Sequence, residues 1–159
     1  EYARYLGRRS GDPTRIGNAV PTVDATVARA TLVATSRAVS NGLVNSIHAL
    51  GKGGLGVGLA KVAFGGELGL TIDLAKAPAA GVDRDDVLLF SESNSRYLVT
   101  VAPEKRVAFE ETMAAVPCSC VGKVAAEPRL RVAGLGGKPV VDANVLELKA
   151  KWKATLDGI

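Results

Sequence analysis

The segment GKGGLGVGLAKVAFGG, residues 51–66, constrains the fold more than any other part of the chain. Seven of the 18 glycines fall here, separated by two lysines and otherwise by small or apolar side chains. A helix over Leu55 to Phe64 made of such residues has little bulk, so its neighbours must close tightly around it. The apolar run Ile47 to Leu50 before it reads as a short buried strand, and Gly65-Gly66 as the helix stop. The loop also holds a literal G-x-G-x-x-G at Gly51, Gly53 and Gly56, with Asp73 where a ribose-binding acid would stand. Glycines between a strand and a helix let the backbone approach a phosphate, and the helix dipole favours an anion there. Lys52 adds positive charge to the same loop. A long helix precedes this pattern, however, and the segments after it do not repeat a βαβ unit. Dinucleotide binding, anion binding and close packing therefore all remain readings of these glycines.

The 159 residues suggest one domain with a real core. Aromatic residues are only 4%, so that core must be built from Ala, Val and Leu. The net charge of +4 is modest, and its densest cluster, Arg4, Arg8, Arg9 and Arg15, has no aromatic interleaving. Nucleic-acid binding is not expected. No run approaches the roughly 20 apolar residues of a membrane helix, and no signal peptide is readable. The chain begins at Glu1, which leads us to expect a piece of a longer polypeptide. Cys118 and Cys120 are too few for a zinc site. On a strand they would share a face in poor disulfide geometry. They read as reduced, buried residues of a cytoplasmic protein.

Along the chain, residues 1–9 predict a short helix carrying Tyr2 and Tyr5, followed by an irregular connection over 10–21. Val23, Val27, Ala30, Ala34 and Ala38 follow a helical period that Asn41-Gly42 stops. Leu68, Leu70, Ile72 and Leu74 alternate as a strand with one buried face. Asp83 is a candidate cap for a helix over RDDVLLF. Residues 96–101 are apolar on both faces, which predicts a central strand. Pro103 opens a helix through Met113 that bears Val107 and Phe109. CSCVGKVAA and RLRVAGL read as a pair of strands. A last helix, about 143–156, buries Val145, Leu148 and Trp152. This order is mixed, which predicts an α+β layered domain.

A second stretch, LLFSESNSRYLVTV, sets Ser91, Glu92, Ser93, Asn94, Ser95 and Arg96 between a helix end and a strand. A mere solvated turn would tend to use Gly, Pro or Asp. Hydroxyls, an amide, a carboxylate and a guanidinium together suit a polyol or a phosphate. They equally suit an internal cluster in which Glu92 pairs with Arg96.

With both stretches in view, the chain resembles the C-terminal domain of the phosphoribosylformylglycinamidine synthases. Their superfamily also includes aminoimidazole ribonucleotide synthetase, selenophosphate synthetase and thiamine monophosphate kinase. The family's His-Asp-x-Ser-x-Gly-Gly-Leu-Ala-Val run corresponds to His48 through Val57. Its more specific Phe-Ser-Glu-Ser-Gln-Ser-Arg run corresponds to Phe90 through Arg96, with Asn94 for the glutamine. VPTVDATVARA, VGKVAAEPRLRV and VVDANVLELKAKWKATL match as well, so the resemblance covers nearly the whole chain.

The resemblance implies a three-layer α/β domain with a mixed sheet and partial ferredoxin-like topology, 1–159 forming a single C-terminal synthetase-type domain whose residues 1–22 are an entry helix and loop. It implies an ATP- and Mg2+-dependent ligase of purine biosynthesis. That enzyme phosphorylates the amide oxygen of formylglycinamide ribonucleotide, and ammonia then displaces the phosphate to leave the amidine. The implied partners are the rest of the synthetase chain, a glutaminase subunit and a small accessory subunit, with homodimer-like packing of the fragment as a further option. By motif, the substrate- or nucleotide-binding residues are Glu92, Ser93, Asn94, Ser95, Arg96, His48, Lys52, Gly53 and Gly54. No catalytic residue is expected within the chain, because the family's catalytic histidine lies in N-terminal-type domains. No metal ligand is expected either: Ala49 stands in place of the aspartate, and Lys52 in place of an acid. The chain reads as belonging to the second of two domain pairs. An alternative is a stand-alone nucleotide- or phosphate-binding module, or a purely structural half that is inert by itself.

Overall fold

The computed structural model describes residues 1–12 and 20–154. Most of the connection expected over 10–21, and Leu156 of the last expected helix, lie outside them. The helices are α1 (Tyr2–Ser10), α2 (Ala25–Ser40), α3 (Gly54–Gly66), α4 (Asp85–Phe90), α5 (Arg106–Thr112) and α6 (Val145–Ala154). The strands are β1 (Ser46–Ala49), β2 (Gly69–Asp73), β3 (Tyr97–Thr100), β4 (Gly122–Ala125), β5 (Arg129–Ala133) and β6 (Pro139–Asn144).

The fold is α+β with a mixed sheet, as the sequence predicts. β4, β2, β5 and β6 lie side by side in that order, β2 running parallel to β5 and antiparallel to β4. The parallel register sets Leu70 opposite Leu130 and Ile72 opposite Val132, so the apolar residues of the two central strands share a face. Thr71 and Arg131, one residue on, point to solvent. The buried face meets Leu55, Leu59, Ala63 and Phe64 of α3, Leu88 and Leu89 of α4, and Val145 of α6. On its other side α3 touches β1 and β3, which pair only with each other as an antiparallel ribbon. Helix α3 is thus the middle layer of three. Gly58 makes this possible: a Cβ there would stand 2.3 Å from Leu50 Cδ2.

Two expectations about the ribbon need correction. β1 is largely exposed rather than buried, and β3 is an edge strand rather than a central one. The apolar residues on both faces of β3 have a different cause. Leu98 packs toward the main core, whereas Val99 packs toward a second, smaller cluster of Ala38, Phe109 and Met113. The ribbon separates two cores, which protects a two-stranded element that would be marginal in water.

Helix α2 starts where Asp24 accepts hydrogen bonds from the Thr26 and Val27 amides at 2.9 and 3.0 Å. It stops at Asn41-Gly42 as expected. Its inward face differs from the expected one: Ala34, Thr35 and Ala38 turn inward, whereas Val23 is 56% exposed and Val27 and Ala30 are also exposed. The second core is too small to cover the whole stripe. Helix α3 runs through Gly65-Gly66 and is ended by Glu67, whose left-handed backbone is accompanied by a 2.5 Å ion pair to Lys149 of α6. Asp83 does not cap α4. Arg84 occupies the cap position without a side-chain bond, and Asp85 instead accepts from the Leu135 amide at 2.6 Å, tying α4 to the turn after β5. A 3-10 turn at Pro103–Lys105 precedes α5, which buries Phe109 but leaves Val107 exposed.

β4 and β5 both form, yet β2 inserts between them. β6 is an element that periodicity does not reveal, and the last helix, expected from about 143, begins only at Val145. Asn144 marks that boundary by accepting from the Leu146 and Glu147 amides at 2.9 and 3.2 Å. Trp152 is half exposed and lies over Phe64, ring centroids 5.3 Å apart. The two cysteines are not on a strand and are not buried; both are exposed on the loop before β4. Among the described residues no helix is long and apolar enough to cross a membrane.

Leu59 is fully buried where α3 meets the sheet, whereas Val107 is 68% exposed. Leu59→Ala should cost about 2–5 kcal/mol of unfolding free energy. Val107→Ala should stay within about 0.5 kcal/mol. Urea denaturation of the two variants checks the difference.

Candidate functional site

The two stretches singled out from sequence meet in space. α3 begins at Gly54 directly beneath the end of α4. Gly54 has φ +60°, and a Cβ there would stand 2.3 Å from the Ser91 carbonyl oxygen and 2.8 Å from that of Leu89. Only glycine tolerates both the left-handed backbone and this contact. A Cβ on Gly56 would stand 2.9 Å from the Phe90 ring, and that ring stacks on Tyr2 with centroids 4.9 Å apart. The Tyr2 hydroxyl donates to Asp86 in the first turn of α4 at 2.9 Å, so α1 braces both ends of that helix.

The glycine loop is bonded to its own protein. The Gly53 amide donates to Glu92 Oε1 at 2.9 Å, and the Gly54 amide donates to the Gly51 carbonyl at 2.9 Å. Glu92 therefore occupies the place where a phosphate oxygen would meet the first amide. Its carboxyl is held below the ordinary 4.5 by the Gly53 amide above all, against the opposing effect of burial. Lys52 adds positive charge to the same end.

Arg96 does not pair with Glu92. Its Nε donates to the Ser93 carbonyl at 3.1 Å and its Nη2 donates to the Ser91 carbonyl. Desolvation lowers the pKa of this half-buried guanidinium. The Arg96 carbonyl in turn accepts from the Leu50 amide at 2.9 Å, fastening the polar stretch to the end of β1. Ser91 and Ser93 share a 2.8 Å hydroxyl hydrogen bond. Asn94 donates to the Pro21 carbonyl at 3.3 Å. Ser95 adopts φ +58°, turning the chain into β3.

The result is a short polar shelf. Ser93, Asn94, Ser95 and Lys52 are exposed, Glu92 and Arg96 are half-buried beneath them, and Gly53-Gly54 form the floor. His48 lies apart on the ribbon, paired in register with Leu98, its ring against Gly58. Hydroxyls, an amide and an ammonium suit hydrogen bonding to a phosphate or a ribose. A metal ion does not fit. Ala49 contributes no ligand, and the described residues hold no group of three or more His, Cys, Asp or Glu able to bind one. The cleft beside the shelf, about 320 Å3, is lined by Phe64, Phe90, Val132 and Trp152, with Lys61 its single charged residue. It is too apolar for a phosphate. Sequence reasoning found both motifs but missed the Glu92–Gly53 bond and the part played by Pro21. No local pattern signals a contact across so many residues.

The chain matches the AIR synthase related protein C-terminal domain over residues 2–134. It is 39% identical over 118 residues to the phosphoribosylformylglycinamidine synthase subunit PurL of Limosilactobacillus reuteri, a match covering 74% of this chain and 15% of that protein. Thermotoga maritima PurL complexed with FGAR superimposes with a TM-score of 0.74 at 25% identity, over 84% of this chain and 23% of that one. The same protein complexed with ATP gives 0.68 at 27% identity, over 76% and 21%. The chain thus spans less than a quarter of these relatives.

Gly54→Ala should cost about 1–3 kcal/mol from the backbone alone, before the clash with Ser91. Gly51→Ala faces open space and should stay within about 0.5 kcal/mol. Thermal melts of both variants test this.

A depressed carboxyl pKa stabilises the fold above its ordinary value, and that contribution is lost as pH falls through the folded pKa. Glu92→Gln should therefore be less stable than the parent at pH 7, by on the order of 1 kcal/mol given its partial exposure. The gap should begin to narrow as pH falls past about 4.5, the ordinary value of the group, and vanish only below its lowered folded value. Urea midpoints measured across pH 3–7 read it out.

Proposed function

The chain belongs to the family of AIR synthase related proteins, whose C-terminal domain it matches, and on that premise we propose that it is a C-terminal-type domain of an ATP-dependent, amidine-forming ligase. The reaction converts formylglycinamide ribonucleotide, ATP and glutamine-derived ammonia to formylglycinamidine ribonucleotide, in the cytoplasm. The observation that carries this reading is the meeting of the two family motifs, joined by Glu92 on Gly53. Support comes from the PurL structures complexed with FGAR and with ATP, two substrates of that reaction.

In this reading Glu92 and Arg96 are positioning residues. The carboxylate holds the glycine loop, and the guanidinium shapes the turn by drawing in two carbonyls. Ser93, Asn94 and Ser95 face the ligand, with Lys52 offering charge to a phosphate. In this reading no described residue of the chain moves a proton in the reaction or ligates a metal. Magnesium and the catalytic histidine belong to other parts of the enzyme, and a glutaminase and a small accessory subunit are its partners. Isolated, the domain is inert. One observation favours a purely structural role within the second domain pair: the amides of Gly53 and Gly54 are already bonded internally.

The test uses the full-length polypeptide carrying this chain, assayed for phosphate release. Release that requires formylglycinamide ribonucleotide, ATP and ammonia together supports the ligase. No turnover under those conditions sinks it. Calorimetry of the isolated chain with ADP and Mg2+ separates the two roles of the domain. Binding that is lost in Ser93→Ala identifies a retained nucleotide site, and a flat titration identifies the structural half.

A further inference from the structure

The apolar cleft beside the shelf takes no part in the ligase reading. Its volume of about 320 Å3 lies at the lower end for small-molecule sites, and its floor reaches the core at Leu59 and Val132, both fully buried. One wall is a single face of α3: Val57, Ala60, Lys61 and Phe64 all line it and follow the spacing i, i+3, i+4 and i+7. Leu148 and Trp152 of α6 line it too, and half-exposed Trp152 marks its solvent side.

Lys61 interrupts this apolar stripe. It is half-buried, and among the described residues it has no hydrogen bond or ion pair. Glu67, at the end of the same helix, is taken by Lys149 at 2.5 Å. The other polar side-chain group of the lining is the Trp152 indole N–H. Both groups are donors, and no side chain of the lining accepts a hydrogen bond. A neutral apolar ligand would leave the ammonium without a counter-charge, and a cationic one would oppose it. A ligand that suits both the walls and the lysine has an apolar body and one anionic head. We propose that the cleft binds a free medium-chain aliphatic carboxylate, with its chain over Leu59 and Val132 and its head on Lys61.

Chain and head contribute differently. Each methylene taken out of water against the leucine, valine and phenylalanine walls should tighten binding about three- to fourfold. The head sets orientation and the sign of charge, since a half-buried ammonium is less screened than an exposed one. The site is independent of the ligase reading, because Glu92, Ser93, Asn94 and Arg96 lie outside its lining.

Trp152 is the one tryptophan of the sequence, so its fluorescence reports occupancy of the cleft. Titrating the full 159-residue chain with octanoate should give a saturable change that fits one site, absent with acetate. Octanoate should bind about tenfold more tightly than hexanoate, the worth of two buried methylenes. Octyltrimethylammonium and 1-octanol should each bind at least about tenfold more weakly than octanoate. Lys61→Met keeps an unbranched side chain, and it should weaken octanoate about tenfold while leaving 1-octanol unchanged. Ala60→Leu fills the cleft and should abolish octanoate binding; if its circular dichroism departs from the parent's, Ala143→Leu is read in its place. No saturable change, octanol or octyltrimethylammonium binding as tightly as octanoate, or an unchanged octanoate affinity in Lys61→Met overturns the proposal. So does a Trp152 spectrum that varies with chain concentration alongside dimers in sedimentation, which gives the cleft to a second copy.

Discussion

The architecture depends on one close contact, the seating of Gly54 under the carbonyls of Leu89 and Ser91. It brings the start of α3 against the end of α4 at a distance no other residue allows. From that point α3 extends as a helix of small residues that the sheet can approach on one side and the ribbon on the other. Glu92 completes the junction by setting its negative charge against the loop. A loop of this kind attracts an anion, and here the protein provides the anion itself. Binding geometry and folding geometry are the same contact, so damage to one is damage to both.

Much of this was legible in the sequence wherever the signal was local. The small-residue helix, the alternation through Leu70 and Ile72, and the stop at Asn41-Gly42 follow from periodicity and turn chemistry. Both site motifs stood out by composition. The partners of their side chains did not: Glu92 and Arg96 lie four apart and suggest a pair, yet each satisfies backbone groups instead. Burial was misread for β1 and β3 because apolar residues on both faces fit a central strand as well as a ribbon between two cores. β6 was missed because exposed Asp142 and Pro139 blur its alternation. The closeness of β4 and β5 along the chain offered no hint that β2 lies between them.

The polar face of the sheet shows how little its ion pairs need to do. Arg129 with Asp142 and Arg131 with Glu127 are solvent-exposed pairs, which water and salt screen so that they add little to stability. They follow from strand alternation and keep that face hydrated, while stability resides beneath it in Leu70, Ile72, Leu130 and Val132. The exposed valines of α2 belong to a different situation, for the small second core leaves them uncovered.

The insertion of β2 between β4 and β5 also has a temporal side. A ribosome delivers Gly69–Asp73 well before Gly122–Ala125 and Arg129–Ala133. Until those arrive, the most apolar strand of the sheet has both hydrogen-bonding edges open. Local helices form early, but the sheet closes only by long-range pairing, which is slow. Helix α3, next to β2 in the chain, is the neighbour that covers Leu70 and Ile72 in the folded domain and forms its middle layer.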